Sequence, residues 1–125
     1  MTLEEMLKAS FILKCNKATG YDSLSNEMIK SLLETNPGIL LKLFNCILNK
    51  KNIINKWMTS ILTPIYKSGD MAEPSNYRGI SIMSCIYKFF NSILNLRYTQ
   101  YVLANKILKD TQLDFRKGVV QPTPP

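Results

Sequence analysis

Two cations flank a polar loop, and their spacing could let them hold one anion between them. In the stretch "ILTPIYKSGDMAEPSNYRGISIM", residues 61–83, Lys67 closes one short run of β-branched and aromatic residues and Arg78 opens the next. Side chains alternate across a strand, so each cation shares a face with the isoleucines of its own run. If both apolar rows pack inward and the strands pair in direct register, the two Cβ atoms are about 5 Å apart, and like charges so placed destabilise the pair.

A phosphate group suits this pair of cations. Lysine acts on a phosphate as a point charge and arginine can fork across two of its oxygens, so a bound phosphate would relieve the repulsion. The alternative is that both side chains simply extend into water at the ends of their strands. The residue types alone leave both interpretations open.

A hairpin must position these cations. The residues from Thr59 to Lys67 and from about Tyr77 to Met83 predict two strands, and the Gly-, Asp- and Pro-containing stretch between them predicts a loop. Pro64 cannot donate a hydrogen bond to a ladder. The first strand is therefore expected at an edge of the sheet, or paired on one side only at that point.

Helical patterns surround the predicted hairpin. Residues 2–14 predict an amphipathic helix that begins with a capping box at Thr2. A second helix begins near Ser25 and ends before Pro37, which disfavours a helical residue before it and can open a third helix. A long fourth helix follows Ser84. The sum is an α+β fold, mostly helical with a small antiparallel β-hairpin. The apolar stripe expected on the first helix consists of Leu3, Met6, Leu7 and Phe11.

Composition and charge limit the ligands and catalytic groups that the chain could have. The chain has 125 residues, which suits one domain or one lobe of a larger protein, and it carries a net charge of +7. Residues 35–69 and 74–109 contain cations but no acid, a pattern that favours polyanions, although a solvated basic surface is the alternative. The chain has no histidine and three distant cysteines, which excludes a histidine-based triad and argues against a zinc site or a disulfide framework.

Hydropathy and the N-terminus bear on location. No window of 18 uninterrupted apolar residues is present, so a membrane span is not predicted. The N-terminal "MTLEEMLKAS" carries two glutamates where a secretory signal would carry positive charge. An intracellular location, cytoplasmic or nuclear, is expected.

Four blocks of sequence resemble one family. The blocks are "KATGYDSLSNEMIK" (17–30), "WMTSILTPIYKSGD" (57–70), "PSNYRGISIMSCIYKFFNSILNLR" (74–97) and "QLDFRKG" (112–118). They occur in the order found in reverse transcriptases of non-LTR (LINE-type) retrotransposons, which are RNA-directed DNA polymerases. Four ordered blocks are more specific than any single motif. The resemblance covers residues 17–118, between an N-terminal helix (1–16) and an unstructured tail (119–125).

The resemblance implies a right-hand polymerase, of which this chain would be the fingers and the entry into the palm. In that family the lysine and arginine that match Lys67 and Arg78 contact the triphosphate of the incoming dNTP. Arg116 and Lys117 resemble positions near the template strand. The implied partners are a dNTP and an RNA or DNA template–primer, and the implied cofactor of the full-length family is Mg²⁺.

Some positions depart from the family pattern. The family usually reads "KAPGPDG" where this chain has "KATGYDS", so Ser23 replaces a glycine while Gly20 and Asp22 match. The changed residues are expected to soften that turn rather than abolish it. Asp114 stands where the block "Q-x-G-F" has glycine, a change that aspartate tolerates better than most residues if φ there is positive.

The family's metal-binding palm aspartates have no match in these 125 residues, so no catalytic residue is assigned and the palm and thumb are expected to be absent. The primary hypothesis is a truncated fingers fragment that is inactive alone, with a missing palm and thumb segment. The alternatives are a basic, non-catalytic nucleic-acid-binding module and a helical interaction domain that uses the stripe from Ile86 to Tyr101. Trp57, Phe89 and Phe90 are expected to pack in a core rather than stack on bases.

Overall fold

A computed structural model describes residues 1–105 and 107. Within these residues, four α-helices accompany one two-stranded antiparallel sheet, which confirms the α+β prediction. The chain divides into two compact units, Met1–Ile93 and a second that begins at Leu94. The elements are α1 (Leu3–Ser10), α2 (Asn26–Thr35), α3 (Pro37–Lys50), a 3-10 turn (Asn55–Met58), β1 (Ile61–Tyr66), a second 3-10 turn (Pro74–Asn76), β2 (Tyr77–Ile82) and α4 (Cys85–Ala104).

The helix starts follow the capping signals of the sequence. The Thr2 side chain accepts a hydrogen bond from the Glu5 N–H while the Glu5 carboxylate accepts one from the Thr2 N–H, so the predicted capping box is present. The Ser25 side chain caps α2, and Pro37 occupies the first turn of α3. These signals act between neighbouring residues. At α3 the signal is the fixed φ of Pro37, since the Asn36 side chain makes no capping hydrogen bond.

The first helix is shorter than predicted and its apolar stripe is partly wrong. Helix α1 ends at Ser10, and Phe11, expected in the stripe, is 89% exposed. Leu3 and Leu7 are also exposed, whereas Met6 and Ala9 are fully buried. The stripe was assigned by residue size, whereas the buried side of α1, a helix that contacts α3, includes a small alanine.

An aromatic cluster forms the centre of the core. The Phe44 ring of α3 lies 5.8 Å from the Phe89 ring, 5.2 Å from the Phe90 ring and 6.4 Å from the Trp57 ring, measured between centroids. All four side chains are buried. The three aromatic residues predicted to pack in a core rather than stack on bases therefore do so.

The segment before α2 attaches to the start of α4. A Cβ on Gly20 would lie 2.7 Å from the Ser84 nitrogen and 2.8 Å from its Cα, so only glycine fits this approach. The Ser84 hydroxyl, fully buried, donates to the Asp22 carboxylate at 2.5 Å, and the Cys85 thiol faces the Ala18 carbonyl at 3.9 Å. The negative charge of Asp22 thereby lies next to the amino end of a helix, where it is favourable.

Cys15, Cys46 and Cys85 are free thiols, of which only Cys85 is buried. In the part of the chain that the structure describes, no helix combines the length and apolarity that a membrane span requires.

Candidate nucleotide-binding site

The hairpin that carries both cations pairs in one defined register. Ile61 lies opposite Ile82, and the pairing continues residue by residue to Tyr66 opposite Tyr77. The Lys67 N–H donates to the Asn76 carbonyl at 2.9 Å, so Lys67 extends the ladder by one position. Hydrogen-bonded and non-hydrogen-bonded pairs alternate from there, which places Pro64 in a non-hydrogen-bonded pair with its nitrogen facing away from β2. Pro64 therefore costs no ladder bond, and β1 is an edge strand as predicted.

The register brings Lys67 and Arg78 to one face but not to directly opposite positions. Arg78 lies opposite Ile65, and the position opposite Lys67 is Asn76. Lys67 and Arg78 are thus diagonal neighbours on the same face. Diagonal positions of a ladder are typically about 7–8 Å apart, further than directly opposite ones. The direct register considered from the sequence does not occur, because the loop closes at the pair of Lys67 and Asn76, two residues earlier along the second strand than a direct pairing would require.

Side chains at the loop end fix this register. The Tyr66 and Tyr77 rings face each other across the ladder with centroids 5.5 Å apart. Each hydroxyl donates into the loop, Tyr66 to the Gly69 carbonyl and Tyr77 to the Met71 carbonyl at 3.0 Å. The two tyrosines therefore tie the strands to each other and to the loop that joins them.

The loop itself is organised by Asp70 and Asn76. The Asp70 carboxylate accepts a hydrogen bond from the Ala72 N–H at 2.9 Å, which makes an Asx turn. The backbone carbonyl of Asp70 accepts one from the Asn76 side-chain amide, also at 2.9 Å. Gly69 has a φ of 101°, a conformation that favours glycine. These residues were predicted only as a generic loop. The Gly69 and Asn76 residue types were the available signal for a closed turn.

Both cations are exposed and have no intramolecular partner in the described residues. Neither the Lys67 ammonium nor the Arg78 guanidinium makes a hydrogen bond or an ion pair within residues 1–105 and 107. Two exposed unit charges even about 7 Å apart in water repel by only about 0.6 kcal/mol, and long side chains that extend into water can separate their charges further. The pair can therefore exist without a bound anion and remain available for one.

The apolar rows of the hairpin do not pack inward. Ile61, Ile65 and Ile80 are 41%, 49% and 41% exposed. Between Trp57 and Ser84, which are both buried, every residue is exposed or half-buried, so neither apolar row of the hairpin belongs to the core. A two-stranded ribbon has too little area to bury a face unless another element covers it.

The aspartates of the described residues take part in turns. The Asp22 carboxylate accepts from the Ser84 hydroxyl and from the Leu24 N–H, and the Asp70 carboxylate accepts from the Ala72 N–H. Both carboxylates are therefore used in turns, and within residues 1–105 and 107 no group of three acidic, cysteine or histidine side chains converges.

Three residues of the sequence-based interpretation lie outside the described part of the chain. They are Arg116 and Lys117, predicted near a template strand, and Asp114, which departs from the family's glycine. The whole block at 112–118 and the tail predicted at 119–125 also lie outside the described residues. The structure therefore leaves their predicted roles as predictions.

Comparisons with known proteins bear on the resemblance. The chain is 29% identical over 117 residues to the probable RNA-directed DNA polymerase from transposon BS of Drosophila melanogaster. It is 31% identical over 104 residues to the probable RNA-directed DNA polymerase from transposon X-element of the same organism. The matches cover 93% and 82% of this chain but only 13% and 12% of the relatives' own lengths. No protein-family model matches the sequence. The predicted similarity to reverse transcriptases is confirmed.

Proposed function

We propose that this chain is a fingers segment of a retrotransposon reverse transcriptase, and that Lys67 and Arg78 grip the triphosphate of the incoming dNTP. Its similarity to RNA-directed DNA polymerases of transposons points to the enzyme class. The observation that supports the grip is the placement of both cations on one exposed face of the hairpin, at its loop end. Within the described residues no acidic side chain pairs with either of them.

The diagonal spacing of the cations suits a polyphosphate. A triphosphate presents charged oxygens on successive phosphorus atoms, so two cations several ångströms apart can each bind a different phosphate group. Arg78 would fork across two oxygens of one group, and Lys67 would act as a point charge on another. A monophosphate offers only one group and would engage the pair less well.

The proposal assigns binding to this segment and no bond-making step. Residues 17–118 would form part of a reverse transcriptase domain whose palm and thumb supply the metal site and hold the template–primer. Asp22 and Asp70, engaged in turns, have no role in metal binding under this proposal. The 125-residue polypeptide is therefore expected to bind dNTP without incorporating it into a primer.

Calorimetric titration of dTTP and dTMP tests the grip. The Lys67→Ala/Arg78→Ala double variant should bind dTTP about tenfold or more weakly, since two charge-assisted contacts are lost, while dTMP binding changes less. Arg78→Lys keeps the charge but loses the fork, so its dTTP affinity should fall between those of the wild type and the double variant.

A matched control distinguishes specific binding of the triphosphate by Lys67 and Arg78 from nonspecific attraction to the positive charge of the chain. Like the hairpin double variant, Lys42→Ala/Lys50→Ala removes two positive charges, but it removes them from exposed positions of α3. This variant should keep the preference for dTTP over dTMP. Equal loss of dTTP binding in the two double variants would contradict the proposal, because bulk charge alone would then explain the binding.

The second candidate function is a basic, non-catalytic nucleic-acid-binding module. The observation that favours it is the exposed lysines of the acid-free stretch at residues 35–69, which are Lys42, Lys50, Lys51, Lys56 and Lys67. Such a surface should bind single-stranded RNA with strong salt dependence and modest sequence preference. If Lys42→Ala/Lys50→Ala abolishes RNA binding while the hairpin variant leaves both dTTP and RNA binding unchanged, this second function replaces the first.

A further inference from the structure

A groove of about 380 Å³ lies beside β2, away from the two hairpin cations. Its aliphatic lining comes from Ile12 and Leu13, which follow α1, and from Ile80 and Ile82 of β2. Ile12 and Ile80 are 54% and 41% exposed, so this surface is open to solvent in the described part of the chain.

The lining residues place the groove at the edge of β2 rather than on a face of the hairpin. Ile80, Ser81 and Ile82 are consecutive, and all three line it. A face of a strand presents every second residue, whereas an edge presents consecutive ones. No residue of β1 lines the groove. The exposed feature is therefore the edge of β2 that does not pair with β1.

This edge offers backbone hydrogen-bonding groups. The ladder register makes Ile80 and Ile82 members of hydrogen-bonded pairs with β1, so the N–H and C=O of Ser81 point the other way. Within residues 1–105 and 107, no loop or side chain makes a hydrogen bond with those two groups. An unpaired strand edge of this kind is a template for another strand.

The charges around the groove select the partner. Lys14, Lys17 and Lys88 contribute to its lining and are exposed, and none of the described lining residues is acidic. None is aromatic either, so the groove has no platform on which nucleic-acid bases could stack. An aliphatic floor with a basic rim instead complements a peptide that carries both aliphatic and acidic side chains.

We propose that the free edge of β2 binds an extended acidic peptide segment as a third strand of the sheet. Its backbone would pair with Ser81, alternate aliphatic side chains would enter the groove, and its carboxylates would meet Lys14, Lys17 and Lys88. The proposal does not depend on nucleotide binding, because neither Lys67 nor Arg78 lines the groove.

The edge is tested by replacing Ser81 in two ways. Ser81→Pro removes the outward N–H and places a ring on the free edge, but leaves the β1–β2 ladder intact, as Pro64 does on β1. Ser81→Ala is the matched control, since both variants lose the 2.7 Å hydrogen bond from the Ser81 hydroxyl to Ser60. The probe is a fluorescein-labelled seven-residue peptide that alternates glutamate with isoleucine or valine, followed by fluorescence anisotropy.

Ser81→Ala should bind this peptide like the wild type, and Ser81→Pro should bind it at least tenfold more weakly with an unchanged circular dichroism spectrum. Should Ser81→Pro fail to fold, a peptide N-methylated at its strand-pairing amides gives the same test on the wild-type chain, and it should also lose at least tenfold in affinity. Equal binding of the methylated and unmethylated peptides would overturn the proposal.

The rim is tested separately by charge. Lys14→Gln/Lys17→Gln/Lys88→Gln should weaken the glutamate peptide at least tenfold at low salt, and a peptide with lysine in place of glutamate should not bind. A twelve-nucleotide oligothymidylate serves as the competitor. If it displaces the peptide and depends on the same three lysines, the groove belongs to nucleic acid and the proposal is overturned.

Discussion

Ser23 is a position where a substitution should stabilise the chain. Its φ is 57°, in the left-handed region, which costs a residue with a Cβ about 1–2 kcal/mol. Ser23 is exposed, and its side chain makes no hydrogen bond within the described residues, although its N–H donates to the Gly20 carbonyl at 3.0 Å. Replacement by glycine, the residue in the family pattern, therefore removes strain without removing a side-chain contact.

The expected net gain is smaller than the strain. Glycine gives the unfolded chain additional freedom that costs about 0.4–1 kcal/mol. The central values of the two ranges differ by about 0.8 kcal/mol. Ser23→Gly should therefore raise the free energy of unfolding by roughly that amount, and the Tm by roughly 2–4 °C. Urea denaturation followed by circular dichroism, together with a thermal scan, measures both quantities.

Ser31→Gly is the matched control for this prediction. It makes the same chemical change at an exposed position inside α2, where the backbone is helical and glycine costs about 0.5 kcal/mol relative to serine. The two variants should therefore shift the Tm in opposite directions. A Ser23→Gly variant that is no more stable than the wild type, or two shifts of the same sign, would refute the reasoning from backbone strain.

Two further predictions concern stability. Gly20→Ala should lower the free energy of unfolding by about 1–3 kcal/mol in urea denaturation, because the new methyl group overlaps the Ser84 backbone. Gly38→Ala should be neutral or stabilising, because its new methyl group would lie 3.4 Å from the Asn36 side-chain oxygen, an ordinary contact. Equal effects of the two substitutions would contradict the overlap at Gly20. The Asn16 N–H donates to the Glu27 carboxylate at 2.5 Å and holds the pKa of that carboxyl below its ordinary 4.5. This hydrogen bond therefore stabilises the fold above the pKa that Glu27 has in the unfolded chain, and that stabilisation is lost as the pH falls through the pKa of the folded chain. The stability lost in Glu27→Gln should therefore shrink between about pH 6 and pH 3, and a pH-independent difference would rule this out.

The sequence predicted those elements whose causes are local. The capping box at Thr2, the helix opened by Pro37 and the edge strand marked by Pro64 each depend on neighbouring residues, and each is present. The core position of Trp57 followed from helical spacing and aromatic size. The burial of Ala9 and the exposure of Phe11 did not follow from the pattern, because they depend on where α1 ends and on which side of it the rest of the fold covers.

The register of the hairpin was beyond the reach of the sequence pattern. Alternation fixed which side chains share a face, and that part was correct for Lys67 and Arg78. It could not fix their offset, which is set where the loop closes. That closure depends on the tyrosine hydroxyls and the Asn76 amide bonding to loop carbonyls, contacts that no periodicity encodes.

The hairpin is attached to the core at one end and exposed at its loop end. Substitutions at the loop end should therefore affect ligand binding, whereas substitutions at the attached end should also affect stability. Trp57, before β1, and Ser84, after β2, are buried, whereas Lys67 and Arg78 lie at the exposed loop end. Substitution of the two cations should therefore change dNTP binding with little change in stability. Gly20→Ala acts on the anchored end, so it should lower stability and, by disturbing the attachment of β2, weaken dNTP binding as well. A Gly20→Ala variant that binds dTTP normally while unfolding more easily would show that the grip does not depend on this anchor.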